Sequence, residues 1–232
     1  MKAIVLGGSG NVGSRLVSNL LINNNICSSI TIISRRPLPQ YQNINKINVK
    51  IIENLNQIEQ EDFQSHNVAF MLLGIGRPSQ VTKEELMNID CIIPVLFAKA
   101  CYNSGIRHIS LLSAIGSDVT SEYSWITKTG AGGGYYNHVK GLMEREVTNL
   151  GFTSVAIFQP AAIYPGNENT PSMFGAFNQS LNFLLPGSIN TVSSDEIGIA
   201  MIKTMQYQLE GKITGTQFIV GGRDIRLRSE EI

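Results

Sequence analysis

The stretch Gly7-Gly8-Ser9-Gly10-Asn11-Val12-Gly13 constrains this chain more than any other, because of what flanks it. Ala3-Ile4-Val5-Leu6 is a continuous apolar run, the pattern of a strand buried on both faces in a parallel sheet. Beyond the glycines, Val12, Leu16, Val17, Leu20 and Leu21 recur at helical spacing as far as about Ile22. Strand, glycine-rich turn and helix in that order open a βαβ unit. Glycine there permits a tight turn, close approach of backbone N–H groups to a diphosphate, and close packing of helix on strand. The first turn of the helix adds the positive end of its dipole. Two registers fit, Gly8-x-Gly10-x-x-Gly13 and Gly7-x-x-Gly10-x-x-Gly13. The candidate diphosphate contacts are Gly7, Ser9, Gly10, Asn11, Val12 and Gly13.

The alternation continues. Further strands are expected at residues 30–33, 49–52, 68–73, 109–112, 155–158 and 217–220. Thr82 and Glu85 make a capping box for a helix running to about Cys101, with Gly105 as its stop. Pro94 lies inside that helix and should kink it, since it removes a backbone donor. A second helix spans 135–150 with Gly151 just past its end, and Ser193 with Glu196 caps a third that runs to about Leu209. Residues 117–134 read as a loop. Strands alternating with helices predict an α/β fold: a doubly wound, mostly parallel sheet covered on both faces. The whole chain, 1–232, reads as one domain, and residues 161–190, rich in Pro, Gly, Asn and Ser, form a small substrate-side lobe. Within that lobe Met173, Phe174, Phe177 and Phe183 suit either a pocket wall or core.

Charge removes several functions. Eighteen basic and 18 acidic side chains give a net charge of zero, so no basic excess exists to meet a nucleic-acid backbone. No apolar run approaches the ~20 residues a membrane helix needs, so no membrane partner is expected. Cys27, Cys91 and Cys101 share no metal-ligand spacing with His66, His108 and His138, and no metal is expected. An odd, scattered set of cysteines suits a reducing compartment, and the chain enters a strand after a single lysine rather than through a secretory signal. The expected location is cytoplasmic.

After the second strand, an acidic residue would bind the ribose 2′-hydroxyl of NAD. The chain has Ser34-Arg35-Arg36 instead, and guanidinium groups suit the 2′-phosphate of NADP by charge and by forked geometry. NADP(H) is therefore expected ahead of NAD(H). Tyr136 and Lys140 lie four apart, on one face of the helix at 135–150. A cation there favours the phenolate, which predicts a lowered Tyr136 pKa useful for general acid–base work. Ser113 ends the fifth strand, where α/β folds present ligand-facing residues. Tyr135 lacks the four-residue spacing to Lys140, and His138 points off their face.

The ordered set Gly7-x-x-Gly10-x-x-Gly13, Ser113 and Tyr136-x-x-x-Lys140 resembles a Rossmann-type short-chain dehydrogenase/reductase. With Leu111-Leu112-Ser113-Ala114-Ile115-Gly116-Ser117-Asp118 and Ser34-Arg35-Arg36, it resembles the atypical branch containing the Tat-interacting-protein-like oxidoreductases. The resemblance implies that Tyr136 donates a proton to a substrate carbonyl, Lys140 binds the nicotinamide ribose and tunes Tyr136, and Ser113 hydrogen-bonds the carbonyl oxygen. It implies that Pro160, Ala162 and Ile163 lie along the nicotinamide and that Leu73 and Gly74 border the adenine or ribose. Many relatives carry an aspartate near the adenine where this chain has Glu53-Asn54. The asparagine that many members add to the catalytic set has two candidates here, Asn88 and Asp90. Arg77 suits a cofactor phosphate, a substrate or plain solvent. The resemblance leaves oligomeric state open, with a homodimer through the helices at 82–104 and 135–150 as its analogue.

Three functions follow. The first is an NADPH-dependent reductase of a small carbonyl compound, which the intact Ser113, Tyr136 and Lys140 favour. The second is a non-catalytic NADP(H) sensor similar to the NmrA-like regulators. The third is an epimerase or dehydratase acting on a nucleotide sugar, for which the C-terminal part is short.

Overall fold

A computed structural model of the chain describes residues 1–22, 25–121, 134–164 and 191–230. Seven strands form one sheet in the order β3-β2-β1-β4-β5-β6-β9, and every neighbouring pair is parallel. They are β1 (Lys2–Leu6), β2 (Ser29–Ser34), β3 (Ile47–Ile51), β4 (Val68–Met71), β5 (His108–Leu112), β6 (Ser154–Gln159) and β9 (Gly215–Val220). The order reverses at the β1/β4 junction, the switch point at which such sheets leave a crevice above the strand ends. Central strands are buried except at their ends, β4 and β6 at every residue, whereas the edge strands β3 and β9 are half exposed. That gradient is why the central strands read as unbroken apolar runs and β3 read weakly.

Two cores flank the sheet. On one face Leu16, Val17 and Leu20 of α1 (Asn11–Ile22) pack with Ile197, Met201 and Met205 of α5 (Ser194–Leu209). On the other, Phe97, Ala98 and Cys101 of α3 (Ile93–Asn103) pack with Val139, Met143 and Val147 of α4 (Tyr135–Thr148). The doubly wound fold expected from the sequence is therefore present. A short parallel pair, β7 (Ala162–Tyr164) with β8 (Thr191–Ser193), was not anticipated, nor was a terminal helix α6 (Gly221–Glu230). Most of the expected substrate-side lobe, at 165–190, and most of the loop at 117–134 lie outside the described residues.

Both capping boxes form. Ser193 accepts from the Glu196 amide at 3.0 Å while Glu196 accepts from the Ser193 amide at 2.7 Å, and Arg226 of α6 donates to the same carboxylate at 2.7 Å. Ser193→Ala should cost about 1 kcal/mol of unfolding free energy by urea denaturation, since one α5 donor loses its partner.

The helix expected from Thr82 onward is not continuous. α2 (Lys83–Met87) passes into a π-helical turn at Asn88–Ile92 before α3 resumes with Pro94 in its first turn. Pro94 has no N–H to give, so the preceding carbonyls cannot all be met by regular helical bonds. The expected kink is therefore a widened turn, and Asp90 stands on it, 1% exposed.

Candidate active site

The glycine loop follows β1 and faces the first residues after β4. Gly7 has φ of +87°, and a Cβ there would lie 2.6 Å from the carbonyl carbon of Leu72 and the amide nitrogen of Leu73. A Cβ on Gly13 would lie 2.1 Å from the Gly7 carbonyl oxygen. The positive φ and the backbone contact favour the Gly7-x-x-Gly10-x-x-Gly13 register, since a Cβ on Gly8 would first meet the Ile32 side chain, at 2.9 Å. Gly13, common to both registers, lets α1 sit against the turn. Gly10 closes the loop by donating its amide to Gly7 at 3.0 Å. Ser9, Gly10 and Asn11 are exposed at the α1 N-terminus, while Val12 turns into the core. This cradle fits a diphosphate: backbone donors are presented at a helix start, and no side chain stands where the two glycines pack.

Ser34 ends β2 and ties the next turn. Its hydroxyl donates to the Arg36 carbonyl at 2.7 Å. Arg35 and Arg36 are exposed and form no ion pair among the described residues. Asn54 accepts from the Asn56 amide at 3.1 Å and caps the short helix at 55–60. Arg77 is exposed beside Pro78.

The second cluster stands on α4. Lys140 is 4% exposed and its ammonium lies 2.7 Å from Asp90 Oδ1, a buried ion pair. Asp90 Oδ2 accepts from the Ile75 amide at 2.9 Å, just past β4. A Cβ on Gly74 would come within 3.0 Å of Asp90 Oδ1 and 3.4 Å of Lys140 Nζ, so glycine leaves the pair its space. Lys140 Nζ is also 5.8 Å from the centre of the Tyr136 ring. Thus Leu73-Gly74, Asp90, Tyr136 and Lys140 meet at one place. Asp90, left undecided against Asn88 in the sequence, is the residue facing Lys140. Its proximity depends on a π turn that helical spacing alone does not predict.

The electrostatics reverse one expectation. Tyr136 was expected to have a lowered pKa, yet burial pushes it above the ordinary tyrosine value, Lys140 opposes this, and Asp90 adds to it. The lysine charge is already answered by Asp90, so less of it acts on the phenol. For Lys140, burial alone would favour the neutral amine, but Asp90 and then Tyr136 outweigh it and lift the ammonium above the ordinary lysine value.

No hydrogen bond joins Ser113 to Tyr136 among the described residues. It is 5% exposed, its hydroxyl donates to Glu144 of α4, and Ser117 lies 3.0 Å away. Gln159, at the end of β6, donates to both Glu144 oxygens at 2.9 and 3.1 Å. Burial raises the Glu144 pKa although these hydrogen bonds oppose it. Glu144 follows Lys140 by one helical turn and was not singled out from the sequence. Tyr136–Lys140–Glu144 at four-residue spacing was the available signal. Tyr135 is buried, stacked on His138 and over Lys83, so it belongs to the packing. His138 contacts the Val119 carbonyl at 2.8 Å, so its ring has a structural partner. Beyond β6, Pro160 is buried and its carbonyl accepts from Ile115 at 3.1 Å, while Ala162 and Ile163 are exposed on β7.

The strand order and the glycine cradle at the sheet's switch point define the class: a Rossmann-type α/β protein. No family model matches the chain. It is similar to Protein HTATIP2 of Rattus norvegicus, 27% identical over 189 residues, covering 77% of this chain and 72% of that protein. It is also similar to Protein FMP52, mitochondrial, of Candida albicans, 24% identical over 235 residues and covering 97% and 96% of the two. Among solved structures it resembles MoeE5 in complex with UDP-glucuronic acid and NAD, with a TM-score of 0.64 at 17% identity, covering 96% of this chain and 76% of that one. The ADP-L-glycero-D-manno-heptose-6-epimerase of Helicobacter pylori gives 0.64 at 14% identity, covering 94% and 76%. The chain is thus similar in sequence to Protein HTATIP2 and to the FMP52 proteins, and it shares its fold with MoeE5 and the heptose epimerase. The cytoplasmic expectation is corrected by these comparisons, because the fungal relatives are named mitochondrial. Among the described residues, no helix is long and apolar enough to cross a membrane.

Proposed function

We propose that the chain is an oxidoreductase that binds NADP(H) and reduces a small carbonyl compound. One observation carries the reading: the Gly7–Gly13 cradle and the Tyr136–Lys140 pair converge beside Leu73 and Gly74, at the switch point of the sheet. A reduced nicotinamide, when bound, supplies the hydride that adds to the carbonyl carbon. The residues do the rest. Gly7, Ser9, Gly10, Asn11, Val12 and Gly13 hold the diphosphate at the start of α1, and Arg35 and Arg36 grip the 2′-phosphate with Ser34 shaping their turn. Leu73 and Gly74 border the adenosine side, while Pro160, Ala162 and Ile163 flank the nicotinamide.

Lys140 holds the nicotinamide ribose. Tyr136 passes its phenolic proton to the carbonyl oxygen as the hydride arrives at carbon, so the product is an alcohol. Ser113 reaches that oxygen only by releasing Glu144. In the bonded arrangement it instead fixes the end of β5 to α4. The structural neighbours, some solved with UDP-sugars, share 11–18% identity with this chain and speak for the fold alone. The three residues retained for proton transfer and carbonyl binding favour catalysis over a purely sensing role.

Calorimetric titration with NADPH and NADH tests the cofactor. The wild type should bind NADPH more tightly, and an Arg35→Ala/Arg36→Ala variant should lose about 10- to 100-fold in NADPH affinity, as expected for removing charge-assisted phosphate contacts. NADH affinity should change little. Equal weakening of both nucleotides would refute the 2′-phosphate role, and a wild type that binds neither would refute the function.

A further inference from the structure

We propose that Asp90 is the positioning residue of the site, a buried counter-ion that holds Lys140 charged and in place for the nicotinamide ribose. The proposal rests on the reading above and deepens it. Asp90 is fixed on three sides: the π turn presents it, the Ile75 amide holds Oδ2 at 2.9 Å, and Gly74 offers no side chain to displace it. Its other oxygen stands 2.7 Å from Lys140 Nζ, with both side chains at most 5% exposed. A buried ammonium without a counter-ion is strongly disfavoured, so this lysine depends on Asp90 for its proton. A neutral amide at position 90 could hydrogen-bond a lysine but could not answer its charge. The groups that act on the pair are Tyr136 and Glu144 from α4 and Cys91 from the π turn itself. Burial pushes the Cys91 thiol up to about 11, so it stays neutral, and Glu144 is engaged with Ser113 and Gln159. Asp90 is therefore the direct partner of the ammonium among the described residues.

The sign of the pH effect follows. In the wild type the Lys140 pKa is raised, so the stability this group contributes is complete below the ordinary lysine value and is lost as pH rises through the raised one. In Asp90→Asn, burial acts without its main opponent and the folded-state pKa falls below the unfolded one. The variant is then penalised most at low pH and regains stability as Lys140 gives up its proton.

The test is calorimetric unfolding of wild type, Asp90→Asn and Asp90→Asn/Lys140→Met from pH 6 to 10, with NADPH titration at each pH. The expected result is a Tm gap of several degrees between wild type and Asp90→Asn at pH 6 that narrows toward pH 10, and that the second substitution largely closes. NADPH affinity should fall at least tenfold in Asp90→Asn at pH 7, and Asp90→Glu should recover part of it. A gap that does not change with pH, or Asp90→Asn binding NADPH with wild-type affinity, overturns the proposal. Should Asp90→Asn not fold, recovery of folding by Lys140→Met supports the proposal, and failure to recover overturns it. A wild type that binds no NADPH sinks the function proposed above. The calorimetric gap alone then decides whether Asp90 holds Lys140.

Discussion

Gly13→Ala should both destabilise the chain and abolish measurable NADPH binding. The added methyl would sit 2.1 Å from the Gly7 carbonyl oxygen and 2.9 Å from the Gly7 carbonyl carbon and Gly8 Cα, all of them backbone atoms. Backbone cannot swing aside as a side chain tip can, so α1 must move outward by about an ångström or the turn must open. Overpacking a well-filled core costs about 1–3 kcal/mol, and a contact this short on backbone belongs at the upper end or beyond. The same shift moves the α1 N-terminus from the position where its amides could reach a diphosphate, and a displacement near 1 Å is enough to lose most of such a contact set. Gly76→Ala is the control, since nothing lies within 4 Å of its added Cβ. Urea denaturation and NADPH titration of both variants give the comparison. A Gly13→Ala protein with wild-type stability would mean that α1 and the glycine turn are not packed as described.

What the sequence could reveal was set by the range of each interaction. The strand-glycine-helix opening, both capping boxes and the central strands were legible because they depend on residues a few positions apart. Ser193 and Glu196 signal a helix start without reference to the rest of the chain. The functional pair was legible for the same reason, Tyr136 and Lys140 being one turn apart on α4. The partners of that pair were not. Asp90 entered only through the family resemblance, as a candidate beside Asn88; it reaches Lys140 across 50 residues and through a π turn, so neither spacing nor propensity chooses between the two. Burial of the phenol, which the spacing does not reveal, turned the expected Tyr136 shift the other way, and Asp90 adds to it. Ser113 was placed correctly at the end of β5, but its hydroxyl direction depends on Glu144, 31 residues further on. Helix α6 escaped because it opens on Gly221 and Gly222 and carries alternating charges, with Ile225 as its one fully buried apolar side chain.

Tyr136→Phe should lower the rate of carbonyl reduction by about 10²- to 10⁴-fold, the usual contribution of a positioned proton donor. Nucleotide affinity should stay within a few-fold of wild type, because Lys140 and Asp90 keep each other in place without the phenol oxygen. Stability should change little: the Tyr136 hydroxyl makes no hydrogen bond among the described residues, and the ring, which does the packing, is retained. The pH dependence separates a proton donor from a merely nearby tyrosine. Burial holds the phenol above its ordinary pKa, so it remains protonated through neutral pH and somewhat beyond. Reduction should therefore be flat in Tyr136 ionisation up to the ordinary tyrosine range and decline only above it. Alcohol oxidation needs the phenolate and should rise over that same alkaline range. In Tyr136→Phe the residual reduction should lose the alkaline decline, since no group in that position is left to ionise. Retention of the wild-type rate by this variant would remove Tyr136 from the chemistry and leave the Lys140–Asp90 pair with a nucleotide-binding role alone.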